Sequence, residues 1–106
     1  MRQDDLAFSI QVKLSIQRAM WDCVTPGLRG VAVKLSFSLI SARFIYEDLG
    51  DEELEMVGLV GSYVAAAFLP PVEVDSTGIE IRGPGERLLE PDEFWVYLRY
   101  EAPLSS

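Results

Sequence analysis

The sequence predicts an α+β fold: a two-layer sandwich of element order αββαββ, with a four-stranded, mostly antiparallel sheet and two helices packed on one face, in a single domain over residues 1–106. Three observations predict it. Residues 4–23 and 51–68 carry helix signals, and four further stretches alternate apolar and polar residues as strands do. At 106 residues, 49% of them apolar, the chain has material for one core and not for two. A sheet with one buried face needs its helices on that face, which sets the layers.

In the first segment Phe8, Ile10, Val12, Leu14 and Ile16 alternate with Ser9, Gln11, Lys13, Ser15 and Gln17, a strand period. Three features decide for a helix instead. No Gly or Pro interrupts Asp4 to Val24, Asp4 and Asp5 suit a helix N-terminus, and Gln17-Arg18-Ala19-Met20 are good helix formers. At about 100° per residue this helix carries two apolar stripes. Leu6, Ile10, Leu14 and Trp21 are expected to face the sheet. Phe8, Val12, Ile16 and Ala19 then await cover, which suggests a homodimer through Phe8, Val12 and Ile16.

Thr25-Pro26-Gly27 stops the helix, because proline disfavours helical geometry in the residue before it. Val31, Val33, Leu35 and Phe37, then Ile40, Ala42, Phe44 and Tyr46, form the alternating faces of a hairpin with its turn near Ser38. Asp51 is the expected N-cap of the second helix, which runs to about Phe68 before Pro70-Pro71. Met56, Val57, Val60, Val64 and Phe68 form its apolar face, while Gly58, Gly61 and Ala65 let a neighbouring element come close. Residues 72–82 read as a strand with a bulge or kink at Asp75-Ser76-Thr77-Gly78. Gly83-Pro84-Gly85 opens a loop lasting to about Asp92. In the last strand Phe94, Val96 and Leu98 are expected on one face, with Trp95, Tyr97 and Arg99 on the other. A ferredoxin-type sheet with its first strand moved to the end is one economical topology; a dimer sharing a sheet is the alternative.

Nine basic and seventeen acidic side chains give a net charge of −8, and there is no histidine. Triads, Cys-His pairs and imidazole metal sites are therefore excluded. Cys23 stands alone, so no intramolecular disulfide can form. Gly83-Pro84-Gly85-Glu86 lacks the lysine of a phosphate loop. No catalytic residue, cofactor or metal is expected. Nucleic acid is a poor partner for so acidic a chain, since binding its phosphates depends on Lys and Arg. A membrane is equally poor, because the longest apolar run, Val57 to Leu69, falls short of the roughly 18 to 20 residues a span requires. Acids at Asp4 and Asp5, where a secretory signal would be positive, point to the cytoplasm.

Two groups remain as a candidate protein-binding surface. Glu47, Asp48, Asp51, Glu52, Glu53 and Glu55 form an acidic run without a base. It reads as a solvated entry to a helix, as a lure for a cationic partner, or, from Asp48, Asp51 and Glu52, as an oxygen-ligand cation site. Trp95, Tyr97 and Arg99 have the composition of an interface hot spot, and equally of an ordinary sheet face.

The turn Thr25-Pro26-Gly27-Leu28-Arg29-Gly30-Val31, the ending Trp95-Val96-Tyr97-Leu98-Arg99-Tyr100-Glu101, Gln17-Arg18-Ala19 and the acidic start of the second helix together resemble small bacterial αββαββ proteins. These are the immunity proteins that accompany contact-dependent inhibition and other polymorphic toxin systems. The resemblance implies a non-catalytic protein that binds a cognate toxin, commonly a basic nuclease, and blocks its active site. A homo-oligomeric assembly subunit is the competing expectation.

Overall fold

The elements follow the expected order in the structure, a computed structural model that describes residues 3–36 and 38–101. They are α1 (Gln3–Ala19), β1 (Leu28–Ser36), β2 (Leu39–Tyr46), α2 (Asp51–Ala66), β3 (Glu73–Glu80) and β4 (Glu93–Leu98). The sheet order is β3-β2-β1-β4. β1 pairs antiparallel with β2 and with β4, while β2 and β3 run parallel, joined by the crossover helix α2 that a parallel pair requires. The sheet is thus mixed and mostly antiparallel. It is not the rearranged ferredoxin-type order, which would place the last strand inside the sheet; here β4 is an edge, hydrogen-bonded to β1. Phe37, at the expected hairpin turn, lies outside the described residues; Ser38 beside it takes a left-handed φ of 60°.

The helix reading of the first segment holds, with the stripes exchanged. Val12, Ile16 and Met20, spaced by four, are buried in the core, whereas Leu6, Ile10 and Leu14 are half-exposed and Trp21 is 82% exposed. Phe8 fixes this rotation: its ring meets Phe68 edge to face, centroids 5.8 Å apart, just beyond the end of α2. The homodimer expected through Phe8, Val12 and Ile16 is therefore corrected, since Val12 and Ile16 are fully buried within their own chain and Phe8 packs against that core.

The cap of α2 lies one residue earlier than expected. Gly50 is the N-cap and its N–H donates to the Glu53 carboxylate at 2.7 Å, while Asp51 is the first helical residue. Its small residues differ in purpose. A Cβ on Gly61 would strike the Ser76 hydroxyl of β3, which itself donates to the Val57 carbonyl at 3.2 Å; a Cβ on Gly58 would meet nothing within 4 Å. This close approach explains the Asp75–Gly78 segment. No bulge occurs there: β3 keeps unbroken register with β2, and Ser76 and Gly78 are small because Gly61 and then Leu49 and Val57 sit against them. The register shifts fall instead at Arg29 of β1, against β2, and in β4. Val31 pairs with Tyr97 but Ala32 with Trp95, leaving Val96 as the extra residue.

The face of the sheet turned away from the helices is also covered. Ala32 and Ile45 alternate with core residues of β1 and β2, yet both are fully buried. The connection between β3 and β4 lies over them, tied down by arginines. Arg43 grips Glu93 through two hydrogen bonds of 2.6 and 3.0 Å and donates to the Leu88 carbonyl at 2.8 Å. Arg29, only 3% exposed, grips Glu101 through bonds of 2.8 and 2.9 Å and donates to the Ile81 carbonyl at 2.7 Å. Arg87 donates to the carbonyls of Arg29 and Arg99 at 2.9 and 2.8 Å, so the loop, the start of β1, the exit of β4 and Glu101 share one knot at one end of the sheet. A buried guanidinium is tolerable only when paired in this way.

The two glycines of α2 predict opposite outcomes in denaturant unfolding. Gly58→Ala should stabilise by about 0.5–1 kcal/mol, the propensity difference at an open helix position. Gly61→Ala should destabilise by about 1–3 kcal/mol, because the added methyl forces α2 from β3 or breaks the Ser76 hydrogen bond.

Acid should loosen the knot. The hydrogen bonds from Arg29 and Arg99 hold the Glu101 carboxyl down at about 2, against an ordinary value of 4.5, despite the opposing effect of burial. A folded-state value below the unfolded one contributes stability that is complete above pH 4.5 and lost as pH falls toward about 2. Glu93 is lowered in the same direction, first by Arg43. Glu101→Gln should therefore be less stable at pH 7 and show a flatter loss of stability below pH 4.5 in pH-dependent thermal melts; an acid limb parallel to that of the unaltered protein would contradict it.

Candidate protein-binding surface

The acidic run divides into carboxylates used internally and carboxylates left outside. Glu47 accepts from Arg99 at 3.1 Å and lies 3.6 Å from Arg29, so it belongs to the knot. Glu53 caps α2. Asp48 meets Arg82 at 2.9 Å in a pair exposed on both sides, worth little in stability. Asp51, Glu52 and Glu55 are exposed and enter no described ion pair. Local sequence could not make this division, because Arg99 and Arg29 come from the far end of the chain and from the start of β1.

The turn after α1 faces this run. Thr25, Pro26 and Gly27 together with Asp48, Glu52 and Glu53 line a shallow cleft of about 340 Å³. Arg99 buttresses it from behind, donating to the Pro26 carbonyl at 2.6 Å as well as to Glu47. Three carboxylates line this cleft, two of them within the first turn of α2; Glu53 is held by the Gly50 N–H and Asp48 by Arg82, while Glu52 enters no described ion pair. Among the described residues no group of three or more Cys, Asp or Glu is placed to hold a metal ion, so the expected alternative of Asp48, Asp51 and Glu52 as a cation site finds no geometry.

Trp95, Tyr97 and Arg99 do not share a face. The bulge at Val96 turns Tyr97 to the helix side, where it packs against the core, while Trp95 lies over Gly30 on the other side, 2.8 Å from where a Cβ would stand. Arg99 is folded inward against Glu47, Glu101 and Pro26. Among the described residues the large exposed aromatics are Trp21, Tyr63 and Tyr100. Trp21, four residues before the cleft's Thr25, was missed because its helical position assigned it to the buried stripe. At the opposite end a larger groove, about 1050 Å³, runs between Phe8, Ile10 and Lys13 of α1 and Leu35, Val72 and Phe94.

Glu93 and Glu101 are held low by arginines, and burial pushes the Tyr46 phenol up to about 12. Among the described residues no helix is long and apolar enough to cross a membrane. What the surface offers is charge and exposed apolar area.

A search of the curated proteins finds no match. The sequence model of the MafI2 immunity protein family matches residues 9–101, a span running from the first half of α1 to the Glu101 carboxylate of the arginine knot. That covers nearly all of the fold described above, and the chain belongs to the MafI2 immunity protein family.

Proposed function

We propose that this protein neutralises a cognate toxin in the cytoplasm by binding it without catalysis, and that the toxin is a basic, nuclease-type domain of a contact-dependent inhibition or related polymorphic toxin system. The observation that carries the chemistry is the cleft between residues 25–27 and α2, where Asp48, Glu52 and Glu53 converge beside the exposed Asp51 and Glu55. A nuclease active site that draws in phosphates is itself basic, and an array of carboxylates occupies the place of the nucleic acid backbone. Family membership supports the toxin as partner; the −8 charge supports a cationic one.

The roles divide by exposure. Asp48, Asp51, Glu52 and Glu55 attract and orient the partner, and exposed Trp21, four residues before Thr25 in the chain, is the aromatic anchor. Glu47, Arg99 and Glu53 act through position: the first two brace the cleft against the knot, and the third starts the helix. Trp95 and Tyr97 on β4 are secondary contacts, both half-buried.

Binding without turnover has a stoichiometric signature. Titrating this protein into the purified toxin domain should abolish toxin activity at one equivalent. Full inactivation by a small fraction of an equivalent would show that it acts as an enzyme. Asp51→Lys with Glu52→Lys, which spares the Glu53 cap, should slow association at low salt about tenfold or more and leave dissociation nearly unchanged in stopped-flow measurements. An unaltered association rate would place the toxin on another surface.

A further inference from the structure

We propose that the free edge of β3 is a strand-addition site, which takes an extended cationic segment of another polypeptide as a further strand of the sheet. The occupant is such a segment and not the folded toxin domain, whose place is the cleft. β3 ends the sheet on its side and pairs with β2 alone. The Glu73 N–H donates to the Ser38 carbonyl at 2.7 Å and the Ile81 N–H to the Tyr46 carbonyl at 2.9 Å, one bond at each end of the ladder. Successive residues of a strand turn their backbone groups to opposite sides. The odd-numbered residues of β3 therefore face β2, and Val74, Ser76, Gly78 and Glu80 point N–H and C=O outward. Those outward groups meet no hydrogen-bond partner among the described residues.

The two edges of the sheet differ in how they are guarded. β4 has six residues, its register breaks at Val96, and the Gln17 side chain donates to the Val96 carbonyl at 3.2 Å. β3 has eight residues, about 26 Å of chain, in unbroken register with β2 and with no proline or lysine among them. α2 approaches it through Gly61 at Ser76 and Val57 at Gly78, on the helix-side face, and leaves Glu73, Asp75, Thr77 and Glu80 exposed. The charge of the strand says which partner fits. It carries Glu73, Asp75 and Glu80 and no base. Glu80 is engaged by Arg82 at 3.4 Å and by the Leu49 N–H at 2.9 Å, whereas Glu73 and Asp75 enter no described ion pair. Both of these point to the face away from the helices, because Ser76 and Gly78 between and beyond them face α2. A second copy would set this acidic strand against itself, and like charges across a strand pair are destabilising. Lysine or arginine opposite Glu73 and Asp75, alternating with small or β-branched residues beside Val74, Ser76 and Gly78, matches the charges and the backbone together.

The test uses the protein and synthetic peptides without any toxin, so its outcome is independent of the reading of the cleft. The probe is a peptide of about ten residues, long enough to span β3, that alternates lysine with threonine or valine. Calorimetric titration should detect its binding, and amide hydrogen exchange should slow at Val74, Ser76, Gly78 and Glu80 while residues 25–27 and 48–55 are unchanged. The same peptide with its backbone amides N-methylated keeps its charge and should bind at least about tenfold more weakly, because it cannot donate to the edge. Glu73→Lys with Asp75→Lys should weaken the unmethylated peptide by a similar factor and leave the circular dichroism spectrum as it was. Protection at the cleft in place of β3, equal binding of the methylated peptide, indifference to the two lysines, or no binding at millimolar concentration would each overturn the proposal. So would slowed exchange at the same β3 amides when the protein alone is concentrated, which would assign the edge to a second copy.

Discussion

The Arg29 guanidinium is buried in a chain whose net charge is −8, and the rest of the structure is arranged around satisfying it. Glu101 accepts two hydrogen bonds and Ile81 offers a carbonyl, drawing the segment after β4 and the exit of β3 to the start of β1. With Glu101 come Arg99 and Arg87, and Arg99 brings Glu47. Removing one member would leave an unpaired charge in a poorly solvated place, which costs far more than the net worth of the pair. The knot thereby pins the β3–β4 connection over a sheet face that would otherwise be open to water.

That constraint also sets the outer electrostatics. Five arginines are consumed by internal or local pairing, so the cations left exposed without described ion pairs are few: Lys34 on β1, and Lys13 and Arg18 on α1. The acidic excess remains outside: Asp51, Glu52 and Glu55 are exposed at the start of α2, where the helix dipole stabilises carboxylates, and Glu73, Asp75, Glu86, Glu90 and Asp92 are exposed on β3 and the connection after it. On the proposed reading a cationic toxin meets the carboxylates at the start of α2.

Element order and fold class were legible because they rest on local signals: turn residues at 25–27 and 83–85, the period of β1 and β2, the acids opening α2. The stripe of α1 was not, since both of its apolar faces have equal local merit and only the Phe8–Phe68 contact, sixty residues apart in sequence, chooses between them. Small residues in β3 looked like a break because sequence does not show which helix crosses there. The regular alternation of β4 concealed its bulge, as a bulge leaves composition unchanged while reversing every face beyond it. The same limit divided the candidate site. Its acids were visible as a run, but which of them were spent depended on Arg29 and Arg99, 18 and 52 residues from Glu47 along the chain.

The central claim is that the partner docks on the cleft end of the molecule. Amide hydrogen exchange of the protein alone and in complex with its toxin domain tests it most directly. Added protection across residues 25–27 and 48–55, with little change in β3, is the predicted result. Protection confined to β3 or to the β3–β4 connection, with the start of α2 unaltered, would contradict it.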